Sequence, residues 1–259
     1  MDLINILKIF NLPNRDEKPR KLGLTIILDQ GLPFNLYLDY IETFHKYIDF
    51  IKFGWCTSIL TSCIKEKIKI AHEYNIDCFL GGTFFEKAFS QNSIEKFIDY
   101  IQNYLNLNII EISNGTIPID KESKYQFIKK YSSMFRVFSE VGYKDVDKCL
   151  KMAPAEWIEC IKEDLSAGAE FVITESRESG KSGICRENGE VRYGLVKEII
   201  NSEISPEKII WEAPNKNIQT FLISEIGTNI NLANISFSDI VPLETLRLGL
   251  RSETLNLFD

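Results

Sequence analysis

The stretch YIDFIKFGWCTS, residues 47–58, is typical of a short buried strand with one lysine inside it. Most positions from Ile48 to Trp55 are apolar, as in a strand that is covered on both faces. Lys52 interrupts this run, and a buried ammonium group is costly unless an opposite charge pairs with it. We therefore expect Lys52 to face carboxylates from neighbouring strands.

Runs of this kind recur along the whole chain and alternate with helix-like segments. The β-rich runs are LGLTIILDQG (22–31), IDFIKFGW (48–55), IDCFLGGTFFE (76–86), NIIEISNGT (108–116), FRVFSEVGYKD (135–145), EFVITESRESG (170–180), KIIWEAPNK (208–216) and NINLANIS (229–236). Helical spacing is clearest in 57–74, 93–105 and 154–169, and we expect Thr57 or Ser58 to cap the first of these helices.

Eight β-rich runs over 259 residues predict an α/β fold, a single-domain (β/α)8 TIM barrel. We place the barrel at residues 18–259 and an N-terminal extension at 1–17. The alternative is an open doubly wound sheet, whose dinucleotide-binding form needs a G-x-G-x-x-G motif after the first strand. The corresponding segment here, LDQGLPFN (28–35), lacks that motif.

Composition excludes several classes of function. The net charge is −7, and the chain has no dense block of Lys and Arg of the kind that nucleic-acid binding needs. No apolar stretch approaches the length of a membrane span. Six scattered cysteines form no C-x-x-C pair, so we expect reduced thiols and a cytoplasmic location.

Acidic residues fall at matching places near the ends of four consecutive β-rich runs. They are Glu111, Glu140, Glu175 and Glu212. In a (β/α)8 barrel these ends meet at one face, where so many carboxylates would repel one another without cations. Oxygen-rich ligation with little histidine suits Mg²⁺. A structural network of lysine and glutamate with no catalytic role is the alternative interpretation.

Several longer motifs carry a resemblance to a known family. The segments GLTIILDQGLP, DFIKFGW, GGTFFEKA, EISNGT, SEVGYKD, LSAGAEFVITESRESG, EAPNK, NLANI and LETLRLGLR together resemble the phosphosulfolactate synthase family. The resemblance extends from about residue 18 to the C-terminus. It implies a (β/α)8 barrel that adds sulfite to phosphoenolpyruvate with Mg²⁺, giving (2R)-3-phosphosulfolactate. It also implies association as a homo-oligomer, with a trimer as the expected form.

The resemblance also implies roles for residues of this chain. The resemblance implies a general-acid lysine directly after EVG, where this chain has Tyr143, and the nearest match is Lys144, one residue further on. Lys52 and Arg177 would hold the phosphate or the sulfonate. We expect Lys144, Glu140 and Lys52 to be catalytic. The expected substrate-binding residues are Arg177, Lys52, Asp29, Ser179 and Asn234, and the expected metal ligands are Glu111, Glu140 and Glu175.

The chain also departs from the family pattern. Many relatives have lysine at Gln30, glycine at Cys56, aspartate at Asn114 and lysine at Tyr143. We interpret Cys56 as a tolerated small residue at the start of a helix, the alternative being a position that needs a positive φ. The departures leave two other functions open: an enzyme acting on another phosphorylated enol or with another nucleophile, and a non-catalytic protein like the plant relatives linked to heat tolerance.

Overall fold

The computed structural model describes residues 10–258, which form a nearly closed barrel of parallel strands surrounded by helices. The strands are β1 (Thr25–Asp29), β2 (Phe50–Phe53), β3 (Asp77–Leu80), β4 (Ile109–Ile112), β5 (Arg136–Val141), β6 (Phe171–Thr174), β7 (Ile209–Glu212) and β8 (Leu232–Ile235). Each lies within the β-rich run predicted for it, and the prediction of a single-domain (β/α)8 barrel is confirmed.

Ten α-helices of the described chain cover the barrel. They are α1 (Phe34–Phe44), α2 (Ile64–Glu73), α3 (Gly82–Ser90), α4 (Ile94–Asp99), α5 (Lys121–Tyr131), α6 (Val146–Lys151), α7 (Pro154–Ala167), α8 (Tyr193–Ile200), α9 (Lys216–Ile226) and α10 (Ile240–Arg247). A π-helical turn, Tyr100–Tyr104, continues α4. None of the helices in this part of the chain is long and apolar enough to cross a membrane. All six cysteines are free thiols.

Residues that point into the barrel are apolar at its lower level and charged one level above. The lower level consists of Leu24, Ile26, Phe50, Phe79, Ile109, Phe138, Ile173, Ile210 and Ala233. Alternate residues of a strand face the same side, so the next inward residue is two positions further along the chain. In five strands that residue is Lys52, Glu111, Glu140, Glu175 or Glu212. The period of the strands therefore places five ionisable side chains at one level of the barrel interior.

The hydrogen-bonded ladder has its two ends at β3 and β4, since the strand order is β3-β2-β1-β8-β7-β6-β5-β4. Side chains connect these ends where the backbone ladder is missing. The Gly82 amide donates to Glu111 Oε1 at 2.6 Å, near the carboxyl ends of the strands. At the amino ends of the strands, Arg136 of β5, the strand beyond β4, donates from Nη1 to Asp77 Oδ2 of β3 at 2.6 Å.

The connection after β2 differs from the predicted helix over 57–74. Trp55 and Cys56 both have left-handed backbone conformations, with φ of 52° and 55°. Only a short 3₁₀ turn, Thr57–Ile59, follows them, and α2 begins later, at Ile64. The interpretation of Cys56 as an ordinary residue at a helix start is therefore wrong, because its backbone occupies the region that favours glycine.

The start of the third connection also differs from the prediction. Residues 82–86 were assigned to the end of a β-rich run, but they form the first turns of α3. The strand stops at Leu80, and Gly81 is the N-cap of the helix. This places Thr83 and Glu86 on a helix above the barrel rather than on a strand of its wall.

The segment before the barrel packs against the bottom of the barrel where the structure describes it. Arg15 donates from Nε to Glu244 Oε1 at 2.8 Å and from Nη1 to Asn229 Oδ1 at 2.8 Å. The pair with Glu244 is largely buried on both sides. The boundary at residue 17 stays a prediction, and the first nine residues of the predicted extension lie outside the described residues.

A fully buried ion pair joins β1 to α2 outside the barrel wall. Lys67 Nζ lies 2.6 Å from Asp29 Oδ2, and both side chains are 0% exposed. The other carboxylate oxygen of Asp29 accepts from the backbone amides of Gly31 and Leu32. Removal of one partner from such a pair leaves an uncompensated buried charge.

We predict that Lys67→Met destabilises the protein by about 3 kcal/mol, because the Asp29 carboxylate loses its buried counter-charge. Urea unfolding would measure the change. Lys69→Met is the matched control on the same helix, since Lys69 is exposed and lies 3.8 Å from Glu73. The control should stay within about 0.5 kcal/mol of the parent protein. Equal stability of the two variants would contradict the structural role of the pair.

We predict opposite preferences for glycine at two neighbouring cysteines. At Cys56 the Gly variant should be more stable than the Ala variant by about 1 kcal/mol, because φ is positive there. At Cys63, where φ is −96°, the Ala variant should be the more stable by about 0.5–1 kcal/mol. Urea unfolding of the four variants gives both differences. The same preference at both sites would show that Cys56 is not strained.

Candidate active site

A ring of buried charges lies at the carboxyl ends of the strands. It contains four glutamates, each at most 3% exposed. They are Glu111 in β4, Glu140 in β5, Glu175 directly after β6, and Glu212 in β7. Lys52 Nζ lies 3.1 Å from Glu212 Oε1 and 3.4 Å from Glu111 Oε2. The expectation that Lys52 faces carboxylates from other strands is therefore confirmed.

Burial and mutual repulsion act on the protonation of the ring. Burial raises the pKa of Glu111 to about 7, and the attraction of Lys52 only partly opposes this rise. Burial raises the pKa of Glu175 well above its ordinary value, and the carboxylates of Glu140 and Glu212 add to the rise. For Glu140, burial is outweighed by nearby ammonium groups, so its pKa is lowered. The ring thus contains more carboxyl groups than its lysines neutralise.

Lys144 lies at the rim of the ring, beyond the end of β5. Its Nζ donates to Thr83 Oγ1 at 2.8 Å and lies 3.8 Å from Glu140 Oε1. Burial lowers the pKa of Lys144, but Glu140, Glu175 and other carboxylates outweigh burial and raise it above the ordinary value of a lysine. Lys144 therefore carries its proton, and its side chain is 25% exposed toward the mouth.

Three buried carboxylate oxygens in the ring have no hydrogen-bond partner: Glu111 Oε2, Glu140 Oε1 and Glu175 Oε2. For two of these residues a backbone amide holds the other oxygen, Gly82 for Glu111 at 2.6 Å and Arg177 for Glu175 at 2.5 Å. Hard oxygen donors without a hydrogen bond fit a divalent cation such as Mg²⁺. The oxygen of Glu111 would exchange its ion pair with Lys52, at 3.4 Å, for the ion. Within residues 10–258 no group of three or more His, Cys, Asp or Glu side chains already has a metal-binding arrangement. Binding would therefore require the three oxygens to converge.

Other residues predicted for the site lie at different distances from the ring. Arg177 is on the loop after β6 with φ of 58°, and its half-exposed guanidinium lies 3.8 Å from Glu178 Oε1. Ser179 is exposed on the same loop. Asn234, in β8, also has a positive φ, and its buried Oδ1 has no partner. Asp29 does not join the ring, because its carboxylate points out of the barrel wall toward α2.

Two residues with defined contacts at the site were given no role from the sequence. Glu212 joins Lys52 to the loop after β6, since its Oε2 accepts from the Ser176 amide at 2.9 Å. Glu86, on α3, accepts from Ser113 Oγ at 2.6 Å and from two backbone amides of the loop after β4. The sequence pattern places Glu212 among the four strand-end acids, but only the other three were expected to bind a metal ion. The position of Glu86 depends on where α3 begins, which the sequence pattern did not reveal.

Gly82 is required at the join between α3 and β4. A Cβ atom at this position would lie 2.4 Å from Ser113 Oγ and 2.9 Å from Glu111 Oε1. Only a residue without a side chain lets its amide approach Glu111 this closely. The glycine in GGTFFE thus serves the orientation of a ring carboxylate.

The barrel is similar to solved structures of several enzymes. It aligns with 3-hexulose-6-phosphate synthase from Salmonella typhimurium with a TM-score of 0.51 and 10% identity, over 88% of this chain and 100% of that chain. It aligns with orotidine 5'-phosphate decarboxylase from Pyrococcus horikoshii OT3 with a TM-score of 0.51 and 10% identity, over 86% and 98% of the two chains. At this identity the likeness shows the fold alone.

Sequence comparisons give the family. The model for (2R)-phospho-3-sulfolactate synthase (ComA) matches residues 13–253. The phosphosulfolactate synthase of Bacillus subtilis is 49% identical over 94% of this chain and 96% of its own length. That of Methanothermobacter thermautotrophicus is 38% identical over 95% and 96%. The chain therefore belongs to the phosphosulfolactate synthase family.

Proposed function

We propose that this protein adds sulfite to phosphoenolpyruvate and forms (2R)-phospho-3-sulfolactate, in which the phosphate stays on the C2 oxygen and the sulfonate is on C3. The observation that carries the proposal is the ring of strand-end carboxylates around Lys52, with the charged Lys144 at its rim, in a chain of the phosphosulfolactate synthase family. A barrel stabilised only by packing has no need of so many buried charges, because each is costly to desolvate.

The reaction requires a nucleophile, stabilisation of negative charge and one proton. The sulfur lone pair of sulfite attacks C3 of phosphoenolpyruvate and forms the C–S bond. The π electrons of the C2–C3 double bond move toward the carboxylate, so negative charge develops on an aci-carboxylate. Protonation of C2 then completes phosphosulfolactate. Sulfite is already nucleophilic, so the protein must chiefly stabilise charge and deliver the proton.

We assign the metal site to Glu111, Glu140 and Glu175, with Mg²⁺ as the ion. Their unpartnered oxygens support this assignment, because hard oxygen donors are the ligands that Mg²⁺ prefers. Bound there, Mg²⁺ would supply Lewis-acid stabilisation of the charge that develops on the substrate carboxylate. The raised pKa values of Glu111 and Glu175 mean that ion binding competes with protons on these two groups.

We assign Lys144 as the general acid that protonates C2. Its raised pKa keeps it charged, and its partly exposed side chain at the mouth can reach a bound substrate. Arg177 and Lys52 are assigned to the phosphate or the sulfonate, with Ser179 and Asn234 as neutral hydrogen-bonding groups beside them. The ion pair of Asp29 with Lys67 favours a supporting role for Asp29 behind the site.

The family resemblance leads us to propose two further properties. The protein would work in the cytoplasm, and it would associate as a homo-oligomer, a trimer in the simplest case. Light scattering of the purified protein would measure the number of subunits.

The direct test mixes the purified protein with phosphoenolpyruvate, sulfite and Mg²⁺ and follows phosphosulfolactate by mass spectrometry. Product that disappears with EDTA is the expected result. A folded protein that binds phosphoenolpyruvate but gives no product would indicate a different nucleophile. If the protein forms no product and does not bind phosphoenolpyruvate, the proposal is overturned in favour of a non-catalytic role.

We predict that Lys144→Ala lowers kcat by about 10²–10⁴-fold, the usual contribution of a general acid. Binding of phosphoenolpyruvate, measured by calorimetry, should change little. Lys148→Ala is the matched control, since Lys148 is exposed on the neighbouring α6. Full turnover by the Lys144 variant would remove the general-acid assignment.

A further inference from the structure

We propose that Thr83 and Glu86, both on α3, are positioning residues that hold Lys144 by its ammonium group and by its backbone. This inference rests on the proposed function, in which Lys144 donates the proton. Thr83 and Glu86 are three residues apart and so lie on one face of the helix. That face is turned toward the loops that follow β4 and β5.

Thr83 determines where the ammonium group of Lys144 lies. The hydroxyl oxygen of Thr83 is 2.8 Å from Nζ, whereas the attracting carboxylate oxygen of Glu140 is 3.8 Å away, beyond hydrogen-bond distance. Without the hydroxyl, the ammonium group would be drawn onto Glu140, whose Oε1 has no hydrogen-bond partner. Thr83 thus keeps the charged donor separate from the carboxylate and leaves its other N–H groups available.

Glu86 determines where the backbone of Lys144 lies, through the loop after β4. The Lys144 amide donates to Gly115 O at 3.0 Å. The next two residues of that loop, Thr116 and Ile117, donate their amides to Glu86 Oε2, each at 2.8 Å. The loop that receives the Lys144 amide is therefore fixed to α3 by a carboxylate that is itself 1% exposed.

The contacts of Glu86 also separate it from the three glutamates that we propose to bind the metal ion. Its Oε1 accepts from Ser113 Oγ at 2.6 Å and its Oε2 accepts from two amides, so both oxygens are already occupied. Glu111, Glu140 and Glu175 instead each keep one oxygen without a hydrogen-bond partner. Glu86 therefore acts through the loop and not on an ion or a substrate.

The position of α3 explains why these contacts come from one helix. The backbone ladder has its ends at β3 and β4, and α3 begins directly after β3 with Gly82, whose amide holds Glu111. The first two turns of α3 thus orient a proposed metal ligand through Gly82 and the proposed proton donor through Thr83 and Glu86. Contacts of α3 across this gap in the ladder therefore connect the proposed metal site with the proposed proton donor.

The kinetic test replaces Thr83 with valine, which keeps the shape and removes the acceptor, and with serine, which keeps the hydroxyl. Thr83→Val should lower kcat at least about tenfold while KM for phosphoenolpyruvate stays within about threefold. Thr83→Ser should keep kcat within about threefold of the parent. Ser90→Ala, which removes an exposed hydroxyl from the same helix, is the control. Parent-like kcat in Thr83→Val would overturn the role of Thr83.

A second measurement does not depend on turnover. The ¹⁵Nζ signal of Lys144, assigned by its absence in Lys144→Ala, should shift and exchange its protons with water faster in Thr83→Val than in Thr83→Ser. An unchanged signal would overturn the contact even if the protein had no synthase activity. Synthase activity absent from the parent protein, with the signal responding as expected, would instead reject the proposed function and keep the contact.

Glu86→Gln tests the contact of Glu86 with the loop after β4. In this variant a single amide oxygen has to accept the hydrogen bonds that two carboxylate oxygens accept in the parent protein. The variant should shift the backbone amide signal of Lys144 and lower kcat with KM for phosphoenolpyruvate within about threefold. Circular dichroism would confirm that the barrel is folded. An unmoved Lys144 amide together with parent-like kcat would overturn the role of Glu86.

Discussion

The attraction between Lys52 and the glutamates around it is the interaction on which the interior of this barrel depends. Lys52 lies between Glu111 and Glu212, and all three side chains are nearly inaccessible to solvent. Burial of the lysine opposes its charge, but the carboxylates outweigh burial and raise its pKa above the ordinary value. The ring is nevertheless left with surplus carboxyl groups, and we propose that a bound cation balances this surplus.

Strand geometry determines which side chains form the ring, and backbone amides orient two of its carboxylates. The two-residue period carries the inward position of five strands from an apolar level to a charged level above it. Amides of Gly82 and Arg177 then fix one oxygen of Glu111 and one of Glu175. Strands alone would place the glutamates at one height, whereas the loops and α3 determine which oxygens remain free.

The sequence predicts the barrel and the ring because both follow from periodicity. Asp29, which the resemblance predicts to bind substrate, does not fit this periodicity. Ile26 points inward, so Asp29, three residues later, points outward. Other features depend on tertiary structure. The glycine of many relatives at Cys56 is the one sign of the left-handed turn there, because the apolar pattern of this chain continues into a helix at Thr57. The contacts of Glu86 exist only once α3 packs over β4.

A crystal structure of the protein with Mn²⁺ and phosphoenolpyruvate, with the ion located by its anomalous scattering, tests the central claim most directly. We expect one ion bonded to the oxygens of Glu111, Glu140 and Glu175 that lack a hydrogen bond, with the substrate beside it and Lys144 Nζ facing C2. An ion bound elsewhere, or a ring that keeps only its contacts with Lys52 when both ligands are present, would contradict the account.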